Sequence, residues 1–356
     1  MSQTMTREFA SSSHPVLAVD AMGGDGGPTV TLAGMALALQ AYPQCTCLLF
    51  GDEQVLRPVL KKFPILQQAV RGIVHTDDVI TNDDKPSVAL RQGRSSSMRL
   101  AINAVAEGQA DAIISAGNTG ALMAMAKFVL KTYPEIDRPA IVSLMPTLKH
   151  DTVLLDLGAN TECSADNLVQ FGIMGAMYCM AVRKVTRPTV RILNIGAETL
   201  KGHDLVKQAA LSLSQIEFPG VYEGFIEGDD IGKGMADVVV TDGFTGNVAL
   251  KVAEGTSRLY SAWLREQFTS TWRAKLGYLV ARPALQALRA RVDPRHYNGA
   301  LLIGLRGVCI KSHGGTDAIG FANAVEVGLQ LVTSNFQKSL HQEFERYAGR
   351  MVGAIA

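Results

Sequence analysis

Four short loops of the sequence combine glycine with asparagine, threonine or aspartate, residue types that hold anions through backbone and side-chain hydrogen bonds. They are Gly23-Gly24-Asp25, Gly117-Asn118-Thr119-Gly120, Gly158-Ala159-Asn160-Thr161 and Asp242-Gly243-Phe244-Thr245-Gly246-Asn247. One such loop is ordinary turn chemistry, because glycine, asparagine and aspartate adopt left-handed turns readily. Four in a single chain favour a shared polar crevice that binds a small charged substrate.

Two of these loops have the form of a phosphate site. Backbone N–H groups at a helix N-terminus hold a phosphate dianion, with help from a nearby cation. Residues 117–120 precede the helical run 121–130, and residues 23–28 end in a proline that suits a first helical turn. Neither loop has the Gly-Lys-Ser/Thr ending of a P-loop or the Gly-x-Gly-x-x-Gly dinucleotide pattern, which argues against a nucleotide cofactor.

The basic residues near these loops are candidate phosphate ligands, although solvation at the surface is their ordinary role. They are Lys85 (in Lys85-Pro86-Ser87), Arg91, Arg138 and Lys201. Lys201 stands out because Gly196 and Gly202 flank it on a loop that follows a predicted strand. The run Ser95-Ser96-Ser97 is placed to cap a helix that begins near Met98.

His313 is the best-placed histidine, because Lys311-Ser312-His313-Gly314-Gly315-Thr316 follows the last predicted strand. A structural hydrogen bond and catalysis both suit that position. Nucleophilic catalysis has no supporting pattern: the chain lacks a Gly-x-Ser-x-Gly elbow, and its five cysteines form no Cys-x-x-Cys pair. We therefore expect reduced, buried, structural thiols in a cytosolic protein, and no metal site.

Short apolar runs alternate with helical stretches, which is typical of a mostly parallel α/β sheet. The continuous apolar character of the runs fits strands that are buried on both faces. The predicted strands cover residues 16–20, 47–50, 112–115, 152–156, 190–194, 237–241 and 307–311. Ligands in such sheets bind outside the carboxyl ends of the strands, which is where the polar loops lie.

The composition limits the class of protein. Of 356 residues, 47% are hydrophobic and 19% charged, as in a globular protein, and 34 basic against 33 acidic side chains exclude a generally basic nucleic-acid binder. No run approaches the roughly 20 apolar residues of a membrane-spanning helix. We expect a flexible N-terminal tail over 1–14, a catalytic α/β domain over 15–345 and a C-terminal tail over 346–356.

The segment 255–295 differs from the rest of the chain. Seven arginines and Lys275 stand against two acids, Glu266 and Asp293, which gives a net charge of +6. Tryptophan, phenylalanine and leucine recur in this segment at near-helical spacing. We predict a basic amphipathic helical hairpin that turns or kinks near Pro283.

The chain resembles the PlsX family, the acyl-acyl-carrier-protein:phosphate acyltransferases, in five stretches that occur in order. They are Asp20-Ala21-Met22-Gly23-Gly24-Asp25, Ser115-Ala116-Gly117-Asn118-Thr119-Gly120-Ala121-Leu122, Asp137-Arg138-Pro139-Ala140, Asp156-Leu157-Gly158-Ala159-Asn160 and Thr241-Asp242-Gly243-Phe244-Thr245-Gly246-Asn247. The resemblance covers most of the chain, from residue 16 to about residue 330. Three positions depart from the usual family pattern: Gly26 stands where a histidine is usual, and Gly315 and Thr316 stand where the two serines of Gly-Ser-Ser are usual. We assign no role to residues 26 and 315, while the Thr316 hydroxyl can still form a hydrogen bond.

The resemblance implies a three-layer α/β/α sandwich like that of isocitrate and isopropylmalate dehydrogenases, a homodimer, and no metal or other cofactor. It implies transfer of a long-chain fatty acyl group from acyl carrier protein to inorganic phosphate. A membrane-bound glycerol-3-phosphate acyltransferase then uses the acyl phosphate for phosphatidic acid synthesis. A cytoplasmic enzyme that associates peripherally with the membrane fits this sequence of steps.

Residue roles are a hypothesis from the chemistry that this reaction requires. The predicted catalytic residues are Lys201, which binds phosphate or the oxyanion, Asn247 and His313. The predicted phosphate and substrate contacts are Gly23, Gly24, Asp25, Lys85, Ser87, Arg91, Asn118, Thr119, Gly120, Arg138, Asn160, Asp242 and Thr245. Acidic acyl carrier protein or an anionic membrane would contact Arg258, Arg265, Arg273, Lys275, Leu279 and Arg282 of the hairpin. A dimer interface with a solvated basic rim is a third use of this hairpin.

Three other functions stay open at this point. A phosphotransacetylase-like enzyme would use an acyl-coenzyme A and would not need a basic docking hairpin. A metal-dependent decarboxylating dehydrogenase would need a nucleotide site and an aspartate cluster, for which Asp229-Asp230 is the candidate pair. A non-enzymatic membrane scaffold would explain the hairpin but not the polar loops.

Overall fold

The computed structural model describes residues 14–291 and 293–355. Apart from residue 14, the predicted N-terminal tail lies outside the described residues. At the other end the last helix runs Phe336–Ile355, so the segment that we expected to be a C-terminal tail is helical as far as residue 355.

One sheet contains every strand of the described chain, in the order β3-β2-β1-β4-β11-β10-β5-β6-β9-β7-β8. The strands are β1 (Val16–Asp20), β2 (Thr46–Gly51), β3 (Val70–His75), β4 (Ala112–Ser115), β5 (Ala140–Met145), β6 (Thr152–Leu155), β7 (Thr189–Leu193), β8 (Val221–Ile226), β9 (Val238–Val240), β10 (Ala300–Ile303) and β11 (Val308–Lys311). All seven predicted strands are present, while β3, β5, β8 and β10 are additional.

Two antiparallel strands in the middle divide the sheet into halves. β10 is antiparallel to β11 and to β5, and β5 is antiparallel to β6. As a result β1, β4 and β11 run in one direction, while β6, β9 and β7 run in the other. The polar loops at the carboxyl ends of the strands therefore fall into two clusters, one for each half.

Helices cover both faces of the sheet. They are α1 (Gly27–Ala41), α2 (Glu53–Leu60), α3 (Pro64–Ala69), α4 (Pro86–Gln92), α5 (Ser97–Ala106), α6 (Thr119–Leu130), α7 (Ala165–Arg183), α8 (Asp204–Gln215), α9 (Gly228–Ile231), α10 (Gly243–Ser270), α11 (Trp272–Arg291), α12 (Ala318–Thr333) and α13 (Phe336–Ile355). Alternate strand residues enter opposite cores: in β1, Leu17 packs with α1 and α12, and Ala18 packs with α5. The predicted α/β/α sandwich with a mostly parallel sheet is confirmed.

The basic segment forms a hairpin of α10 and α11 that meet at Thr271. The predicted turn near Pro283 is wrong, because Pro283 lies inside α11. The large apolar side chains of the hairpin are exposed, with Trp272 71% and Leu279 62% accessible. The other predicted contact residues are exposed as well, namely Arg258, Arg265, Arg273, Lys275 and Arg282. No helix within the described ranges combines the length and the apolar character needed to cross a membrane.

Candidate active site

The loops that follow β1, β4 and β11 converge, and we call residues 21–26, 116–118 and 312–317 the first loop cluster. The amide of Asp25 donates a hydrogen bond of 2.9 Å to the carbonyl of Gly314, which joins the first of these loops to the third. The predicted contacts after β1 and the predicted histidine loop after β11 are therefore neighbours.

Gly23 and Gly24 allow the backbones of this cluster to approach each other. A Cβ at Gly23 would lie 2.8 Å from the amide nitrogen of Gly117, and one at Gly24 would lie 2.9 Å from the Cβ of Ala116. Gly24 also has a φ of +86°, a conformation that side chains other than hydrogen disfavour. These glycines hold the cluster together, and their contact with phosphate stays a prediction.

A buried carboxylate lies beneath the cluster at the end of β1. Asp20 is 1% exposed and accepts hydrogen bonds from the hydroxyls of Ser97 at 2.7 Å and Ser115 at 2.6 Å. The backbone amides of Met22 and Gly23 also bond to it. Burial raises the pKa of this carboxyl, although the four hydrogen bonds act in the opposite direction.

Lys311, at the end of β11, brings a largely buried ammonium group to the same place. Its Nζ donates to the carbonyls of Ala116, at 3.4 Å, and Ser312. Burial lowers the pKa of Lys311 to about 8, and the charges of Asp20 and Asp25 oppose this shift. A lysine at this pKa is charged at neutral pH and can bind an anion there.

One ring nitrogen of His313 is engaged within its own loop. The amide of Gly315 donates to Nδ1 at 3.1 Å, so the neutral ring carries its proton on Nε2. Desolvation lowers the pKa of His313, and the charges of Lys251 and Lys311 act in the same direction. The imidazole is therefore neutral at pH 7 and can donate a hydrogen bond from Nε2.

Asn298 fixes the loop that contains His313. Its Nδ2 donates to the Ser312 hydroxyl at 2.8 Å and to the Gly320 carbonyl at 2.7 Å, and its Oδ1 accepts from the His313 amide at 2.8 Å. Our sequence reasoning missed Asn298 and Lys311. The signal that could have found Asn298 is the Asn-Gly pair that it forms with Gly299, which marks a turn.

Asn118, predicted as a substrate contact, caps α6. Its Oδ1 accepts from the amide of Ala121 at 3.0 Å, and its Nδ2 donates to the carbonyls of Thr81, Asn82 and Asp84 at 3.0 to 3.1 Å. Both ends of this amide therefore bind protein groups, so Asn118 positions the segment before α4 beside the first turn of α6.

The other predicted contacts of this region lie around that first turn. A Cβ at Gly120 would lie 2.6 Å from Pro86, so α4 packs directly against the start of α6. Lys85, Ser87 and Thr119 are exposed. Arg91 is exposed too, and its Nε donates to the Ser87 carbonyl at 3.1 Å. The predicted serine cap is confirmed at Ser96, whose hydroxyl accepts from the Arg99 amide at the start of α5.

We call residues 156–164, 194–203 and 241–242, which follow β6, β7 and β9, the second loop cluster. Asp156 is fully buried and accepts from the amides of Ile141 at 2.9 Å and Asn160 at 2.7 Å, and from the Asn160 side chain at 2.9 Å. Burial raises the pKa of Asp156. Asn160, a predicted substrate contact, is buried and also donates to the Pro139 carbonyl at 2.8 Å, so its amide is engaged within the protein.

The start of α10 presents Asn247 beside this cluster. Asp242 caps the helix and accepts from the amide and the hydroxyl of Thr245, both at 2.8 Å. Asn247 is exposed in the first turns, and a Cβ at Gly158 would lie 3.5 Å from the Asn247 side chain. The Asn247 amide thus faces solvent from a rigid helix, while Asp242 and Thr245 bond to each other.

The two remaining predicted cations of this half are accessible. Lys201 has a half-exposed side chain and forms an ion pair of 2.9 Å with Glu198. The hydrogen bond with Glu198 raises the pKa of Lys201, which is therefore charged at neutral pH. Arg138 is exposed and donates to the carbonyl of Glu162 at 3.1 Å.

Helix α10 connects the two clusters. It begins in the second cluster, and one turn beyond Asn247 it carries Lys251, whose charge lowers the pKa of His313 and Lys311 in the first cluster. Lys251 pairs with Glu254 at 2.9 Å. The first turns of this helix therefore carry Asn247 beside the second cluster and, one turn later, a charge that acts on His313 of the first cluster.

Comparison with known proteins decides the family. The model of the family described as "Fatty acid synthesis protein" matches residues 16–339. The chain belongs to this family. Relatives named phosphate acyltransferase are 54% identical over 338 residues in Rhodospirillum centenum and 52% identical over 335 residues in Rhodospirillum rubrum, with at least 94% of both chains covered. The predicted resemblance to the acyltransferase family is confirmed.

Solved structures share the fold of this family member. A phosphotransacetylase from Streptococcus pyogenes has a TM-score of 0.61 and covers 90% of this chain and 95% of its own. The EutD phosphotransacetylase from Staphylococcus aureus has a TM-score of 0.56 and covers 91% and 94%. Both are 16% identical to this chain, so they support the fold and nothing finer.

The cysteines and the Asp229-Asp230 pair of this family member do not form a metal site or a reactive thiol. Four of the five cysteines are buried and Cys163 is partly buried, and desolvation raises the pKa of Cys163 and of Cys179 to about 11. Asp229 and Asp230 both pair with Lys233 at 2.7 Å. Across residues 14–291 and 293–355, no three His, Cys, Asp or Glu side chains form a metal-binding group.

Proposed function

We propose that this chain transfers a long-chain fatty acyl group from acyl carrier protein to inorganic phosphate, giving an acyl phosphate for phosphatidic acid synthesis. The observation that carries the proposal is its identity of more than half with relatives named phosphate acyltransferase, along nearly the whole chain. The first loop cluster supports it, because a helix N-terminus, a glycine-rich backbone and a nearby ammonium group suit a small anion.

The reaction transfers the acyl group from the sulfur of the thioester to an oxygen of phosphate. An oxygen of hydrogen phosphate attacks the thioester carbonyl carbon, the new C–O bond forms, the C–S bond breaks, and the phosphate proton ends on the released thiol. Phosphate is partly a dianion at neutral pH and attacks without a strong base. The tasks of the protein are to align the reactants and to stabilise the oxyanion that develops on the carbonyl oxygen.

We assign these two tasks to accessible side chains of the two loop clusters and of α10. Lys201 and Asn247 donate to the oxyanion, and Lys201 leaves Glu198 to do so. The neutral imidazole of His313 donates a hydrogen bond from Nε2 to the departing sulfur, and that sulfur takes the proton that the phosphate releases. Backbone amides of residues 118–120 at the start of α6, together with Asp25, Lys85, Arg91 and Arg138, hold the phosphate and the thioester arm. The predicted amide cradle over 243–247 is not available, because the amides of Gly243, Thr245 and Gly246 already donate to Asn160 and Asp242.

The hairpin of α10 and α11 suits macromolecular contacts. Its exposed arginines match the acidic surface of acyl carrier protein, and its exposed Trp263, Trp272 and Leu279 match the interface of an anionic membrane. A homodimer, which the family resemblance implies, would present two such hairpins. We propose peripheral attachment to the membrane through this hairpin, close to the acyltransferase that uses the acyl phosphate.

The direct test is conversion of palmitoyl-acyl carrier protein by the purified protein in the presence of phosphate. Loss of thioester and formation of hydroxylamine-trappable acyl phosphate, both dependent on phosphate, are the expected results. Activity with acetyl-coenzyme A and none with the acyl carrier protein substrate would instead assign the chain to the phosphotransacetylases.

Two kinds of substitution distinguish the two proposed contacts of the hairpin: charge reversal tests the contact with acyl carrier protein, and loss of an apolar side chain tests the contact with the membrane. Arg265→Glu with Arg273→Glu is expected to raise the KM for acyl-acyl carrier protein and to leave the KM for phosphate unchanged. Leu279→Glu is expected to abolish sedimentation with vesicles of anionic phospholipid while the dimer persists in gel filtration. If Leu279→Glu still sediments with vesicles, the membrane contact lies elsewhere.

A further inference from the structure

Three polar side chains stand in one row at the carboxyl ends of β1, β4 and β11. Asp20, Ser115 and Lys311 are in register with one another, so their side chains point to the same face of the sheet. Phe50 and Ala300 continue the row on either side, and both pack against the apolar core of that face. The polar row is therefore enclosed laterally and lies directly under the first loop cluster.

The row does not contain a closed ion pair. The Asp20 carboxylate already accepts from the Ser97 and Ser115 hydroxyls and from the amides of Met22 and Gly23. A carboxylate offers about four acceptor sites, so these four donors occupy it. Asp20 supplies a negative charge near Lys311 while its hydrogen bonds go to other groups.

The Lys311 ammonium consequently has a donor to spare. It carries three N–H groups, and its hydrogen bonds within the described chain go to two carbonyls, those of Ala116 and Ser312. A largely buried N–H group without an acceptor is unfavourable, and an anion in the first loop cluster would satisfy it. Ala116 precedes the loop that starts α6, so the spare donor lies beside a helix N-terminus.

We propose that Lys311 is the cation that binds the attacking inorganic phosphate, between the start of α6 and the glycines of the first loop cluster. This inference rests on the proposed function, because it names the residue that receives the acyl acceptor. Lys201, in the other half of the sheet, is then left to serve the oxyanion. The two cations then serve the two reactants, one each.

The charges around Lys311 predict how phosphate affinity depends on pH. Asp20 and Asp25 act on it from β1 and the following loop, Cys309 from its own strand, and Lys251 from α10. With a pKa of about 8, half of the free ammonium groups are deprotonated at pH 8 and nearly all of them at pH 10. Phosphate remains a dianion over this range, so its affinity falls with the charge on Lys311.

Calorimetric titration with inorganic phosphate at pH 7.5 tests the proposal on the wild-type protein, Lys311→Met and the matched control Lys127→Met. Lys127 is an exposed lysine in the last turn of α6. We expect Lys311→Met to weaken phosphate binding at least tenfold, to about a hundredfold, and Lys127→Met to bind like the wild type. Wild-type affinity in Lys311→Met would overturn the inference.

Two further measurements keep the test decisive. If Lys311→Met does not fold, titrations of the wild-type protein with phosphate from pH 7.5 to 10 replace it. Falling affinity for phosphate supports the inference, and constant affinity overturns it.

The acyl phosphate assay separates this inference from the proposed function. A wild-type protein that forms acyl phosphate while Lys311→Met keeps the wild-type KM for phosphate disproves the role of Lys311 alone. A wild-type protein that binds phosphate through Lys311 without forming acyl phosphate disproves the proposed reaction alone.

Discussion

Two buried aspartates, one in each half of the sheet, organise the ends of their strands in different ways. Asp20 ends β1 and accepts hydroxyl groups from α5 and β4, two other elements of its half. Asp156 follows β6 and accepts from the amide of Ile141 in β5 and from the amides of its own loop, residues 158–160. The first carboxylate joins elements to one another, and the second mainly shapes a loop.

This difference shows where a ligand charge can be held. The loop shaped by Asp156 also accepts the amide of Gly243 on the Asn160 carbonyl at 2.7 Å, so it sets the start of α10 and the position of Asn247. The serines that occupy Asp20 leave Lys311 without a carboxylate partner among the residues that the structure describes. The second half is thus a rigid frame for a neutral donor, while the first half keeps a positive charge available to an anion.

The largest effect that we expect is a loss of stability when one of the two buried aspartates is replaced. Asp156→Ala removes the acceptor of several buried amides that cannot turn to other partners, so we expect the free energy of unfolding to fall by about 3–5 kcal/mol. Asp20→Ala should cost less, about 1–3 kcal/mol, because the serine hydroxyls can rotate to other acceptors. Urea denaturation of both variants measures the difference. Equal losses would show that the two carboxylates do the same structural work.

A second prediction concerns Asn247, the neutral donor at the start of α10. Asn247→Ala should lower kcat about 10²–10³-fold, because it removes one oxyanion donor, and should leave the KM for phosphate unchanged. Val248→Ala, at an exposed neighbouring position of α10 (Val248 is 48% accessible), is the matched control and should keep kcat. Steady-state assays at saturating acyl-acyl carrier protein give both constants. An increase in the KM for phosphate with normal kcat would move Asn247 to the phosphate side of the site.

The sequence predicts the strands of both halves better than their directions. The bounds of β1 and β4 agree with the predicted 16–20 and 112–115, because these buried runs are continuously apolar. The antiparallel strands β5 and β10 escaped prediction, although they are what reverses the second half. Apolar periodicity carries no information on strand direction, so the single predicted crevice became two clusters.

The candidate site was predictable in its loops and not in its centre. The glycine, asparagine and aspartate motifs mark the strand ends, since turn chemistry is local. Lys311 acquires its role from register with residues 20 and 115, which are remote in sequence. In the sequence alone it is one lysine at the end of an apolar strand. Only the pairing of three strands shows that the neighbouring Asp20 carboxylate already accepts hydrogen bonds from other groups.

A third prediction follows from the pKa of Lys311. The group has an ordinary pKa of 10.5 in the unfolded chain and about 8 in the folded chain, so between these values the unfolded chain binds the extra proton. Stability attributable to this group therefore rises with pH in that window, by up to about 1.4 kcal/mol per pH unit. Urea denaturation at pH 8, 9 and 10 should show this rise in the wild type relative to Lys311→Met. Parallel pH curves for the two proteins would mean that Lys311 is solvated in the folded state.

The smallest expected effect concerns Gly315, where the family resemblance leads us to expect a serine. A Cβ there would lie 3.3 Å from the Asp25 carboxylate and 3.8 Å from the His313 ring, and the exposed Asp25 side chain can shift to make room. Gly315→Ser should therefore change stability by no more than about 0.5 kcal/mol, because no buried group loses a partner. The same serine should change kcat less than threefold, since the Gly315 amide still orients His313. Thermal denaturation and the acyl phosphate assay measure both effects. A large loss of activity with normal stability would mean that the open space beside Asp25 is occupied by substrate, which would extend the anion site of the first half from Lys311 to the tip of the histidine loop.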